Sequence, residues 1–319
     1  MKCCNNDYGT FENFLLMQKN LKVLRLSWLH KGLLFETDKL ANNIKFSLDE
    51  LSLDKVHWTD NDNVMKFFKT QINLKKLTLN LITLDGIGLD YEICYNELLI
   101  HLFGNNLQLK TVDLSTSEFN GSNIKDFSFL EGIVNSSVEN FTLSLNTSQN
   151  VTEFIKLFPN VVNFTYYLNN KVDHGLDQFY NWNSLESINC TVEYIDQFFE
   201  NVNFGENITN CTITYYVGDI NQFELMQFLN CHQSIKHMTL NSYYTKVPEE
   251  ILYLIVTKLK SLETLINDGE IYSLSYFSEN LLSQYLKEPT IIEGSRGFRT
   301  IANTFSKTLF TTLMEYFSH

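Results

Sequence analysis

Cys231, His232 and His237 are the residues of this chain whose types and spacing come nearest to metal chemistry. A thiolate and two imidazoles are zinc ligands, but a structural zinc site takes four, normally as two short-spaced pairs. No second cluster accompanies these three, so no metal site is assigned. Gly86-Ile87-Gly88 opens like a dinucleotide loop, then continues into Leu89-Asp90-Tyr91 without the third glycine that closes such a loop on a pyrophosphate. No phosphate loop, metalloprotease motif or paired CxxC is present either. Glu249-Glu250 follow Pro248 at the expected start of a helix, where negative charge suits the helix dipole, and no carboxylate pair suited to acid–base catalysis is visible. Cys3 and Cys4 could be acylated, but one acyl chain needs a second membrane signal, and the pair is read as part of a terminal strand. The expectation is a non-enzymatic chain without metal or cofactor.

The elements that would position any site show much stronger order. An apolar residue, two spacers and a second apolar residue recur ten times, beginning at Leu21, Leu48, Leu74, Leu109, Val138, Val161, Leu185, Ile208, Ile235 and Leu262. In the first nine a third core-compatible residue follows after one more spacer, as in Leu24 and Leu26 or Cys211 and Ile213. Residues two apart share one face of a strand, and the residue between them points the other way. Most of these strands are preceded by a short helical segment: Phe14 to Met17, Val64 to Phe68, Leu98 to Phe103, Phe154 to Phe158, Ile195 to Phe199, Phe223 to Leu229, and Ile251 to Leu259. Large apolar residues three and four apart bury one stripe of each. Most intervals fall in the roughly 20 to 29 residues of leucine-rich repeats. The fold class expected is therefore α/β, a curved leucine-rich-repeat solenoid with a parallel β-sheet on the concave face and helices on the convex face. Residues 1–10 are read as a partial repeat or cap, 11–268 as the solenoid, and 269–319 as a C-terminal cap. The cap's Phe305, Leu309, Phe310, Leu313, Met314 and Phe317 fall on one helical face. The longest interval, from Leu74 to Leu109, is read as an enlarged loop around Asp85 to Gly88.

Composition narrows the setting. A net charge of −13 with three arginines leaves no basic stripe for phosphates, which argues against nucleic acid and anionic membranes as partners and favours a monomer. The polar start, Cys3 to Asp7, lacks the apolar run of a secretory signal. Six scattered cysteines suggest free thiols in a reducing compartment, cytoplasmic or nuclear, with Cys190 and Cys211 on core positions. Four of the nine Asn-x-Ser/Thr triplets begin at Asn140, Asn163, Asn189 and Asn210 inside expected strands, so they are not read as glycan sites.

The segments Phe14 to Trp28, Phe67 to Asn80 and Phe228 to Asn241, each a helix end, a turn and a leucine-spaced strand, resemble the repeats of F-box and leucine-rich-repeat proteins. In that family an F-box binds the adaptor of a cullin-based ubiquitin ligase and the repeats capture the protein to be ubiquitinated. The resemblance implies substrate recognition by the repeats. It implies adaptor binding only if an F-box-bearing segment stands upstream, because the repeats begin almost at Met1. The family's asparagine eight residues after the first leucine is matched at Asn146 and Asn169 alone, so no continuous asparagine ladder is expected. A free-standing adaptor or inhibitor is the main alternative. A GTPase-regulating repeat protein would need a loop arginine or asparagine, and Arg25 is the sole arginine in the repeats.

Alternation fixes the residues that a protein partner on the concave face would meet: Arg25, Ser52, Thr78, Asp113, Thr142, Thr165, Asn189, Thr212 and Thr239, with Ile266 continuing the row. Threonine suits a strand and offers a short hydroxyl. Aromatic residues that could anchor a partner gather near strand ends at Trp28, Trp58, Tyr166, Tyr167, Tyr215, Tyr216, Tyr243 and Tyr244, of which Tyr166 falls on a core position.

Overall fold

The computed structural model describes residues 8–29, 43–58, 61–80, 83–84, 89–114, 127–145, 152–168, 179, 181–195, 198–199, 202–244, 247–267 and 290–293. The chain divides into two compact units, Met1–Val161 and Val162–His319. Both are built from strands that alternate with short helices or turns.

The first unit runs α1 (Tyr8–Met17), β1 (Val23–Leu29), β2 (Glu50–Trp58), α2 (Asn61–Thr70), β3 (Lys76–Asn80), β4 (Thr83–Leu84), α3 (Leu89–Asn105), β5 (Thr111–Leu114), a 3-10 turn at Ser128–Leu130, β6 (Asn140–Leu145) and α4 (Thr152–Leu157). Its sheet has the order β1-β2-β3-β5-β6, every pair parallel, with β4 on β2 beside the main path. Strands can follow chain order in a parallel sheet only if each connection carries the chain back across one face, and burying an apolar stripe there gives each connection its place. Phe141 of β6 accordingly meets Phe154 and Phe158 with ring centroids 5.1 Å away from each.

The second unit runs β7 (Asn163–Leu168), β8 (Ser187–Tyr194), β9 (Asn210–Val217), α5 (Gln222–Cys231), β10 (His237–Ser242), α6 (Glu249–Lys258), β11 (Thr264–Asn267) and β12 (Thr290–Glu293). Its strands are again parallel and in chain order. Between β7 and β8 the buried Phe179 and Trp182 fill the inner layer against Phe164, at 5.2 and 4.8 Å. Large aromatic rings fill much of the core at this point.

Alternation governs most positions of the strands whose side chains are described, although Thr78 and Ser144 are buried as well. Leu51 and Leu53, Leu77 and Leu79, Val112 and Leu114, Ile188 and Cys190, Cys211 and Ile213, and Met238 and Leu240 are all buried. Just before eight of the strands, one carbonyl of the preceding repeat accepts two successive backbone N–H groups. Lys22 O takes those of Asp49 and Glu50, Lys75 O those of Lys110 and Thr111, Glu186 O those of Thr209 and Asn210, and Lys236 O those of Glu263 and Thr264. This repeated clasp fixes the register of each strand on the next.

A second regularity lies three residues ahead of the first apolar residue of a repeat. That position is buried and polar at Gln71, Asn106, Asn135 and His232, and buried and apolar at Phe158, Trp182 and Leu259. The polar members serve backbone groups trapped at the helix-to-strand turn, which would be costly to bury unpaired. Leu48 N–H donates to Gln71 Oε1 at 2.9 Å and Leu74 N–H to Asn106 Oδ1 at 3.0 Å. Asn135 Nδ2 donates to Phe103 O at 2.9 Å and to Asn106 O at 3.0 Å. These amides join repeat to repeat. Asn146 and Asn169, the two matches to the family's asparagine position, lie outside the described residues.

The interval from Leu74 to Leu109 holds a longer helix than the expected Leu98 to Phe103 segment. Much of it is the 17-residue helix α3, which begins directly after the glycines and whose Leu98, Leu99, Leu102 and Phe103 are buried. Asp85 to Gly88, and the cap helix expected around Phe305 to Phe317, lie outside the described residues. Within the stretch 269–319, β12 pairs in parallel with β11.

Candidate protein-binding surface

The residues that alternation sends outward form rows in register. In the first unit Arg25 pairs with Ser52, Ser52 with Thr78, Thr78 with Asp113, and Asp113 with Thr142. In the second, Thr165 pairs with Asn189, Asn189 with Thr212, Thr212 with Thr239, and Thr239 with Ile266. Each unit therefore brings its expected contact residues into one line across the sheet, adjacent strands in such a sheet lying about 4.8 Å apart. Arg25 and Asn189 are exposed, and Ser52, Asp113, Thr142, Thr165, Thr212 and Thr239 are half-buried. Thr78 is only 8% exposed, so it stands in the line yet offers a partner little surface.

The two units differ in charge. In the first, the neighbouring row carries Glu50, Lys76, Thr111 and Asn140. Arg25 Nε donates to Glu50 Oε1 at 2.6 Å, which raises the guanidinium further above its ordinary value. That hydrogen bond, helped by Lys76, holds the Glu50 carboxyl below the usual carboxylate range against the opposing effect of burial. Arg25 is thus engaged across the β1–β2 pair. In the second unit the strands β7 to β11 contain no lysine or arginine. Their outer rows are amides, hydroxyls and one imidazole, Asn163, Ser187, Asn210, His237 and Thr264 on one side of the central line and Tyr167, Thr191, Thr214 and Asn241 on the other. Asn241 Nδ2 donates to Thr214 Oγ1 at 3.3 Å. Such a face has many short hydrogen-bonding groups and few long flexible ones, so ordering it against a partner costs little side-chain entropy.

The aromatic residues separate by the same alternation. Tyr166 and Tyr215 are buried in the core, whereas Tyr216, Tyr243 and Tyr244 come together at the far ends of β9 and β10. The side chains of Trp28 and Trp58 lie outside the described residues. Sequence reasoning named the tyrosines but not their contact, which depends on the β9–β10 register.

Chemistry at the other candidates is settled by placement. Cys231 is exposed at the end of α5, His237 points outward on β10, and His232 is buried in the core. His232 Nε2 accepts from Phe204 N–H at 3.2 Å and its Nδ1 lies 2.7 Å from Phe228 O, which assigns the proton to Nδ1. Both nitrogens are committed, and burial pushes this imidazole below its ordinary value although the Phe228 carbonyl opposes the shift. Burial likewise raises the Cys190 thiol, with Cys211 adding to it, and pushes Cys211 up to about 12, so both behave as apolar core side chains. Glu249 begins α6 directly after Pro248, as the sequence suggested. Among the described residues, no group of three or more His, Cys, Asp or Glu could hold a metal ion, and no helix is long and apolar enough to cross a membrane.

With this geometry in place, the relationship to known proteins is one of fold. The chain is similar to the leucine-rich repeat-containing protein LegL7 from Legionella pneumophila, with a TM-score of 0.52 and 15% sequence identity over 92% of this chain and 98% of that one. It has the leucine-rich-repeat fold. No protein-family model matches the sequence, and no curated protein matches it. The likeness to LegL7 establishes the repeat architecture alone, since periodic core spacing survives at identities where surface residues do not.

Proposed function

We propose that this chain is a non-catalytic protein-binding module whose repeats recognise a protein on the outer face of the sheet. The observation that carries the reading is the in-register line of short polar side chains in each unit, ending in Thr142 in the first and running through Thr165, Asn189, Thr212 and Thr239 in the second. A broad, open sheet face lined by preorganised donors and acceptors suits recognition of another protein's surface better than enclosure of a small molecule. The finer proposal is substrate recognition of the kind performed by the repeats of F-box leucine-rich-repeat receptors, in the cytoplasm or nucleus, where the buried free thiols Cys190 and Cys211 suit a reducing compartment.

The test is affinity purification from the native cell with mass spectrometry, comparing wild type with a Thr142→Glu, Thr165→Glu, Thr212→Glu variant whose folding is verified by circular dichroism. The partner identified with wild type is then purified and its affinity measured. Loss of that affinity in the folded variant supports the outer face as the binding site, and undiminished affinity overturns it. Recovery of a cullin adaptor supports the ligase role. A partner recovered cleanly without one makes the module a free-standing adaptor or inhibitor.

A further inference from the structure

We propose that Tyr216, Tyr243 and Tyr244, together with Glu193, form a seat for an arginine side chain of the protein partner. The proposal rests on the protein-binding reading above and names the partner's chemistry at one place on that face.

The seat follows from register. Val192 pairs with Tyr215 and Tyr194 with Val217, so Glu193 and Tyr216 are neighbours on adjacent strands. Ser242 pairs with Tyr215, and Tyr243 N–H donates to Tyr215 O at 3.1 Å, which carries the ladder one residue past β10 and sets Tyr243 beside Tyr216. The two rings stack with centroids 4.5 Å apart and planes 8° from parallel, and Tyr244 closes the group at 6.1 Å from Tyr216 and 6.5 Å from Tyr243. Gly218, at φ 105°, supplies a left-handed residue directly after β9. Few L residues adopt that conformation, so the chain turns away there and the tyrosines stand at the end of the strand.

Two properties single out a cation as occupant. Tyr243 and Tyr244 are 53% and 77% exposed, so aromatic surface stays open even with one face of Tyr243 stacked on Tyr216, and an aromatic face attracts positive charge within about 6 Å of its centroid. Burial, with Tyr243 beside it, also raises the Tyr216 phenol above its ordinary value. Charge complements this. Glu193 makes no ion pair among the described residues, strands β7 to β11 bear no lysine or arginine, and the chain carries a net charge of −13. Arginine fits better than lysine because its planar guanidinium can lie flat on a tyrosine ring while its edge donates to a carboxylate.

The probe is a nine-residue peptide of alternating arginine and serine, titrated by calorimetry into the full chain at low salt. Matched peptides carry lysine, glutamine or proline in place of arginine. The arginine peptide is expected to bind, the lysine peptide more weakly, and the glutamine peptide not measurably. Tyr216→Ala and Tyr243→Ala, each verified by circular dichroism, are expected to weaken binding roughly tenfold, Tyr243→Phe to preserve it, and Glu193→Gln to weaken it several-fold while flattening the salt dependence. Equal binding by wild type and both alanine variants overturns the seat, as does no binding of the arginine peptide or a preference for the proline peptide. If the purified partner depends on Thr212 but not on Tyr216 or Tyr243, the seat fails and the protein-binding reading stands. If the partner is indifferent to the threonine variant as well, that reading fails too.

Discussion

Replacing Asn106 by leucine tests the structural logic of the repeats at a single atom. The residue is fully buried, its Oδ1 accepts from Leu74 N–H at 3.0 Å, and its Nδ2 donates to Leu102 O at 3.0 Å. Leucine has nearly the same volume, so no large cavity opens. Leu74 N–H, however, loses its acceptor inside the protein. Leu102 O keeps the backbone N–H of residue 106 at 3.3 Å, so the orphaned Leu74 donor dominates the cost. An unsatisfied buried donor costs about 1–3 kcal/mol, and the substitution is expected to fall near the middle, about 2 kcal/mol. For a chain of this size that corresponds to a fall in Tm of about 3 °C. Urea denaturation followed by circular dichroism measures it, with Gln108→Leu, at an exposed position two residues on, as the control. Faster hydrogen exchange at the Leu74 amide should accompany the loss. If Asn106→Leu stays within about 0.5 kcal/mol of wild type, the buried amides are not what joins these repeats.

Other expectations follow from the same contacts. Phe154 is buried against Phe127 at 4.4 Å and Phe141 at 5.1 Å, so Phe154→Ala should cost about 3–5 kcal/mol in the same denaturation assay. Asn221 caps α5, its Oδ1 accepting from Phe223 N–H and its Nδ2 donating to Glu224 Oε1, both at 2.9 Å, and Asn221→Ala should cost about 1 kcal/mol by the same measure. His232 lies below the ordinary imidazole value of 6.5 in the folded state, so the unfolded chain binds its proton more readily. Its contribution is therefore level above about pH 6.5 and destabilises the fold as pH falls through 6.5 toward the lowered folded value. In urea titrations across pH 5 to 8, His232→Gln, which can still accept from Phe204 N–H, should lose less stability on acidification than wild type.

Much of the fold was legible because burial leaves a direct mark on spacing. Leu51 and Leu53 or Cys211 and Ile213 announce a strand, and once strands are parallel and equivalent the outward partners Ser52 and Thr212 are determined as well. The buried polar position ahead of four of the repeats was less visible. Gln71, Asn106, Asn135 and His232 share a role but not a residue type, and polar side chains in turns usually signal solvent. Their common offset from Leu74, Leu109, Val138 and Ile235 was the available signal. The extent of α3 was less legible, because glycines such as Gly86 and Gly88 directly ahead of a helix read as turn signals in a sequence. Contacts across strands were beyond a single sequence. That Arg25 would be engaged by Glu50, or Tyr216 stacked on Tyr243, follows only from register, and Thr78 shows that an outward position can still be covered.

Hydroxyl-radical footprinting of the protein with its purified partner probes the outer sheet face most directly, since it reads side-chain exposure without any substitution. Tyr167, Tyr216, Tyr243 and His237 stand on that face in the second unit, whereas Phe223 in α5 and Met17 in α1 are exposed, at 61% and 76%, on the helical elements. Partner binding is expected to reduce oxidation of the four sheet residues and leave Phe223 and Met17 unchanged. Protection of Phe223 or Met17 with the sheet residues unaffected would place recognition on the helices and contradict the binding surface assigned here.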